Sequence, residues 1–190
     1  IYADIHVGSI MRSPDRGATW EPVRPGLDRD VHEVTTCPAD AERLYANTAE
    51  AVFVSLDRGE NWQDLVAGLD HRYGRAIAVH PAEPDCLLAS TSDGPHGDDV
   101  HARLYRSEDL GDTWTHVTEG LPNSCKSNIN TGRVRFSPEG RGWVALGRTL
   151  YLSENAGKRW ESFWVGPAAI QEIAAGGRPL VKPKGKLKAK

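Results

Sequence analysis

One eight-residue pattern recurs four times in this chain, and that recurrence limits its folds more than any other feature. The first copy holds Ser13, Asp15, Gly17 and Trp20, the second Ser55, Asp57, Gly59 and Trp62. The third holds Ser107, Asp109, Gly111 and Trp114. The fourth holds Ser153, Gly157 and Trp160, with Asn155 where the others carry Asp. The serines lie 42, 52 and 46 residues apart. Such a period marks a row of similar supersecondary units, each too small to bury an apolar core alone. Likeness extends past the pattern, because a glycine follows each Trp by six residues, at Gly26, Gly68, Gly120 and Gly166.

Each unit reads as four short strands rich in Val, Ile, Tyr, Phe and Thr, with no helical periodicity. In the second unit they fall at 31–36, 43–48, 51–55 and 62–66; in the third at 75–80, 86–91, 103–107 and 114–118. In the fourth they fall at 132–136, 143–147, 149–153 and 160–165. Pro38, Pro81 and Pro138 each open a turn between two strands. Four strands per 40–50 residues is the arithmetic of a β-propeller blade. The expected fold is therefore all-β, a propeller of four-stranded antiparallel blades, with about four blades present. The division is a partial blade at 1–27, blades at 28–69, 70–121 and 122–167, the start of another at 168–175, and a tail at 176–190. Within each box, Ser and Asp oxygens accept backbone N–H bonds in a tight turn, Gly supplies a positive φ, and Trp covers the blade's edge.

Charge separates the tail from the body. The last thirteen residues hold one Arg, five Lys and no acid, leaving 17 basic against 26 acidic residues before them. An acidic body argues against nucleic-acid binding, which needs a basic surface. The tail reads as a disordered, solubilising terminus. No apolar run is long enough for a transmembrane helix. Cys37, Cys86 and Cys125 form no C-x-x-C, so zinc and redox motifs lack support. Cys37 and Cys86 lie in apolar stretches, and Cys125 in the polar run NSCKSN is expected to be exposed. Without a disulfide framework, a cytoplasmic location is favoured.

The four Ser-x-Asp-x-Gly-x-x-Trp boxes resemble the Asp-box, or BNR, repeats of sialidases, xyloglucan-hydrolysing enzymes, sortilin-type receptors and photosystem II assembly factors. The wider stretches IHVG, DVHEV, GLDHRYGRAIAV and GLPN resemble bacterial propellers with BNR or YVTN-like repeats, often labelled glycosyl hydrolase. The resemblance covers residues 7 to about 167 and implies a ring of six to eight blades. With Ile rather than Met first, the chain is expected to be a piece of such a ring. Further blades or a second copy would complete it. The resemblance also gives the box residues a structural role.

In such a propeller the loops entering each innermost strand share a face with those joining the second and third strands. Here these are segments 27–32, 69–75, 92–103 and 121–131. Aligning the units by their prolines puts His32, Arg75 and Gly132 in one register, and Asp30, Tyr73 and Asn130 in another. The ligand-binding candidates are His6, His32, Tyr73, Arg75, Asn128 and Asn130, polar residues beside a channel mouth. The insertion Ser92–His101 carries two His and three Asp, but its spacing matches no metal motif; it reads as a mobile solvated loop, and no metal or cofactor is expected. Two functions compete. The first is a noncatalytic scaffold for a glycan, small molecule or protein. The second is a glycoside hydrolase, which needs two facing carboxylates or a Tyr nucleophile. Its candidates are Asp30, Tyr73 and Arg75, with Asp28, Asp70, Asp98 and Asp99 on the same face. The Arg-Ile-Pro segment of sialidases is absent, and so are the G-x-S-x-G and phosphate-loop motifs.

Overall fold

A computed structural model describes residues 1–5, 8–23 and 26–175. The architecture is an all-β propeller array of four antiparallel sheets. The first sheet has three strands, β1 (Tyr2–Ile5), β2 (Ser9–Arg12) and β3 (Glu21–Pro22). The second joins β4 (Val31–Cys37), β5 (Asp40–Thr48), β6 (Val52–Ser55) and β7 (Gln63–Leu65). The third joins β8 (Tyr73–Val79), β9 (Leu87–Ser92), β10 (Arg103–Ser107) and β11 (Thr115–His116). The fourth joins β12 (Val134–Phe136), β13 (Gly142–Leu146), β14 (Thr149–Ser153) and β15 (Glu161–Val165). Strands pair in chain order, as short meander connections dictate. The 168–175 segment forms no strand here. It lies along the fourth sheet, with Ile170 N–H donating to Gly147 O and Ile173 N–H to Gly132 O. The basic tail at 176–190 and His6 lie outside the described residues.

The apolar cores sit between sheets rather than within them. Leu87 and Ala89 of β9 face the second sheet with Tyr45, Val54 and Trp114, while Leu88 faces the fourth with Val134, Val144 and Trp160. Every residue of β9 is buried, because both of its faces are covered. Cys37 and Cys86 are buried; Cys125 is half-buried against the core between the third and fourth sheets and pairs with Ala102, so its expected exposure is corrected. A polar sequence neighbourhood misleads here, because the bridge to Ala102 draws the thiol inward.

All four boxes fold alike. The serine hydroxyl donates to the Asp carboxylate and accepts the glycine N–H, as in Ser107 to Asp109 at 2.7 Å and Gly111 to Ser107 at 2.8 Å. The carboxylate then accepts from the residue two beyond that glycine, Thr113 N–H at 2.9 Å. Two successive residues take positive φ, Leu110 at 66° and Gly111 at 94°. Asn155 preserves this network through its Oδ1, accepting from Ser153 and Arg159. Hydrogen bonds from the Thr19 hydroxyl and N–H hold Asp15 down to about 2, and Asp109 is lowered by the matching bonds from Thr113. The box carboxylates therefore stabilise the fold above the ordinary Asp range, and that contribution is lost as pH falls through the lowered values. Since Asn155 shows that an amide suffices, Asp109→Asn should keep the melting temperature within about 2 °C of the parent at pH 7. Thermal melts at pH 7 and pH 3 check this, and the variant should lose less stability between them.

The third and fourth boxes also clamp their sheets to the one before. Trp114 N–H donates to Ala67 O and Trp160 N–H to Glu119 O. This explains the glycines six residues after Trp62 and Trp114. Gly68 and Gly120 have φ of 88° and 82°, and a Cβ there would lie 2.2 and 1.9 Å from the Trp114 and Trp160 carbonyl oxygens. Trp114 and Trp160 are 4% and 3% exposed. Trp20, on the first sheet, is 43% exposed, so its reading as a covered edge does not hold there.

Candidate functional site

The innermost strands bulge where they approach the loop face. Pairing shifts between Val31 and Glu33 in β4 and between Gly74 and Ile77 in β8. His32 and Arg75 occupy these bulges, which re-aim side chains. The buried Asn47 amide packs tightly against the second bulge. Its Nδ2 donates to Ala76 O and Ser90 O, and a Cβ on Gly74 would lie 1.5 Å from its Oδ1.

The bulges bring four of the sequence candidates together. His32 Nδ1 meets Gly74 O at 2.5 Å. A carbonyl only accepts, so Nδ1 carries a proton, and Nε2 lies 3.5 Å from Tyr73 Oη. Asp30 Oδ1 lies 3.4 Å from the same Nε2. The His32 and Tyr73 rings are 5.0 Å apart, and the Arg75 guanidinium stacks on Tyr73 at 5.0 Å. Burial pushes the Tyr73 phenol above its ordinary value despite Arg75, so it stays protonated. Thr131 ties the cluster to the fourth sheet's approach, its hydroxyl donating to His32 O at 2.9 Å.

Asn128 and Asn130 stand one step away, in a groove of about 540 Å³. The insertion supplies one wall through Pro95, His96, Gly97 and Val100; Lys126 to Asn128, Asn130, Thr131 and Arg75 supply the other. The insertion, expected as a mobile solvated loop, is mostly exposed and is tethered at several points. Asn128 Nδ2 donates to Gly94 O at 3.0 Å, and its Oδ1 accepts from Ser92 at 2.6 Å. Asp93 is gripped by His71 Nδ1 at 2.8 Å and His101 Nδ1 at 2.6 Å. Among the described residues no group of His, Cys, Asp or Glu is arranged to hold a metal ion. Asp70 is occupied as well. The Tyr105 hydroxyl at 3.1 Å, then Arg103, hold its carboxyl below the ordinary range.

A second polar feature escaped the sequence reading. Glu33 points into the groove between the innermost strands, a space of about 480 Å³ lined by β4, β8 and β12. Its Oε1 accepts from Arg135 Nη1 at 2.5 Å and its Oε2 from Ile77 N–H at 3.1 Å. Burial raises the Glu33 carboxyl in spite of Arg135. An acid inside the strand VHEVTTC was the available signal, because a charge in a covered strand needs a partner.

Comparison with known proteins follows this geometry. The chain is 28% identical over 215 residues to the Neosartorya fischeri protein named "Probable oligoxyloglucan-reducing end-specific xyloglucanase", covering 95% of this chain and 25% of that protein. It is 30% identical over 101 residues to Vacuolar protein sorting/targeting protein 10 of Pyricularia oryzae, covering 51% of this chain and 7% of that one. The chain thus spans a quarter or less of these curated relatives. Among solved structures, the GH74 xyloglucanase of Xanthomonas campestris superposes with a TM-score of 0.67 at 23% identity, over 88% of this chain and 29% of its own. An ancestral GH74 enzyme superposes at 0.71 with 16% identity, over 87% of this chain and 22% of its own. These likenesses carry the propeller fold. The family model described as "Sortilin, neurotensin receptor 3" matches residues 8–135, from the first sheet to the last innermost strand, and the chain belongs to the sortilin/Vps10 family.

Proposed function

We propose that this chain is a noncatalytic binding propeller whose loop face takes a peptide segment of a protein partner. The groove beside Arg75 carries the reading, because its described lining includes donors and cations but no carboxylate. A glycosidase needs two free carboxyl groups, one with a raised pKa, or an activated Tyr. Here Asp30 faces His32, Asp70 is held by Arg103 and Tyr105, and Asp93 lies between two histidines. Tyr73 is held protonated. The similarity to Vps10 sorting proteins adds support for a protein ligand.

Similarity to xyloglucanases over 95% of the chain keeps one competing reading, hydrolysis of a glycan. Both are tested together by screening a random peptide library and a panel of xyloglucan oligosaccharides and aryl glycosides. The expected outcome is saturable peptide binding, weakened about tenfold by Arg75→Ala, a loss of roughly 1.4 kcal/mol, with no sugar released. Glycan turnover that disappears in Asp30→Asn or Tyr73→Phe would replace the binding reading with a hydrolase.

A further inference from the structure

We infer that the groove between the insertion and the 126–131 loop holds acidic side chains of an internal, extended peptide segment, an inference that rests on the binding reading above. Charge is the first argument. The body of the chain has a large excess of acids, yet this groove gathers Arg75, Lys126 and His96 with no carboxylate among its described lining. Field lines from such a patch in an acidic surround focus on an anion. The second argument is an unmet donor. Arg75 Nε is buried and makes no hydrogen bond among the described residues, although its guanidinium is fixed against Tyr73. Buried donors are nearly always paired, so the Arg75 guanidinium has hydrogen-bonding capacity that the described residues do not use. A guanidinium already held flat by stacking loses little freedom when a carboxylate docks on it.

The groove's composition favours a peptide over an acidic saccharide. Sugars dock on open aromatic faces. No Phe, Tyr or Trp ring lines this groove among the described residues, and the neighbouring Tyr73 is covered by Arg75 and packed against His32. Asn130 and the backbone of Pro95 to Gly97 supply amide-type partners suited to a main chain. Tethers from Asn128 and Asp93 hold the insertion wall in place, so binding requires little ordering.

Fluorescence anisotropy on the whole chain tests this with two labelled peptides, N-acetylated and C-amidated so that neither terminus carries charge. One alternates Glu and Gly; the other alternates Gln and Gly. The Glu peptide should bind at least tenfold tighter, and its affinity should fall as salt rises from 50 to 500 mM. Lys126→Glu should weaken it a further tenfold or more while the melting temperature stays unchanged. That side chain is exposed, and only its backbone carbonyl holds Val100. Arg75→Gln should abolish the preference for Glu over Gln. Equal affinity for both peptides, or an unaffected Lys126→Glu, would overturn the inference. Tighter binding of an oligogalacturonate than of the Glu peptide would overturn the peptide assignment in favour of a saccharide. If library peptides bind through Arg75 but acidic ones hold no advantage, the inference fails and the binding reading stands. If no peptide binds and xyloglucan is cleaved, both fail.

Discussion

Gly120→Ala will cost about 3 kcal/mol or more, although it adds a single methyl group. A non-glycine residue at φ of 82° pays roughly 1–2 kcal/mol for the left-handed backbone alone. The new Cβ would also sit 1.9 Å from the Trp160 carbonyl oxygen, which is fixed backbone rather than a side-chain tip. Relieving that overlap separates the third and fourth sheets and stretches the bond from Trp160 N–H to Glu119 O, worth about 0.5–1.5 kcal/mol. Gly147→Ala is the matched control, with φ of 59° and no atom within 4 Å of the added carbon. It should show only the backbone cost of roughly 1–2 kcal/mol. Urea unfolding of both variants measures the difference through the midpoint at constant slope. Equal losses would mean that the sheets slide freely against each other, against the clamp described above.

Glu33 carries the second large effect, and its size depends on the replacement. Glu33→Ala leaves Ile77 N–H and Arg135 without their shared acceptor, an expected loss of about 2–4 kcal/mol. The lower end applies, because Arg135 is 30% exposed and water replaces part of what it loses. Glu33→Gln keeps a neutral acceptor and should cost far less at neutral pH. The folded carboxyl is raised above its ordinary value, so its stabilising contribution is complete below the ordinary Glu range. It is lost as pH rises through the raised folded value. In the Gln variant that alkaline-side loss should vanish. Unfolding free energies from pH 4 to pH 8 for parent, Ala and Gln separate the three cases. An unchanged pH slope in Glu33→Gln would show that the carboxyl does not titrate as its burial demands.

Much of the strand pattern was legible because the boxes recur in register. Val31–Cys37 was expected at 31–36, Leu87–Ser92 at 86–91, and Thr149–Ser153 at 149–153. The turn preceding each fourth strand was equally readable, since Ser, Asp and Gly act within eight residues of one another. The residue before each box glycine was not, because Leu110 and Ala156 show no preference for the positive φ they adopt. The surrounding hydrogen bonds impose it.

The candidate site was legible only in part. Register alignment named Asp30, His32, Tyr73 and Arg75 separately, and the bulges place them within reach of one another. No local pattern marks a bulge packed against Asn47, a buried side chain on the neighbouring sheet. Lys126 and His96 became groove residues only when the insertion folded back onto the loop before β12.

By itself, then, the sequence determined the repeat, the strand order and the box turns, all of which depend on interactions spanning a few residues. Tertiary structure alone decided the rest. Glu33 finds Arg135 across 102 residues, Asp93 takes up two histidines from separate loops, and the Trp114 and Trp160 backbones reach the preceding sheets. The pairings between sheets follow from how neighbouring sheets are stacked and turned against each other, and a linear pattern holds no record of that geometry.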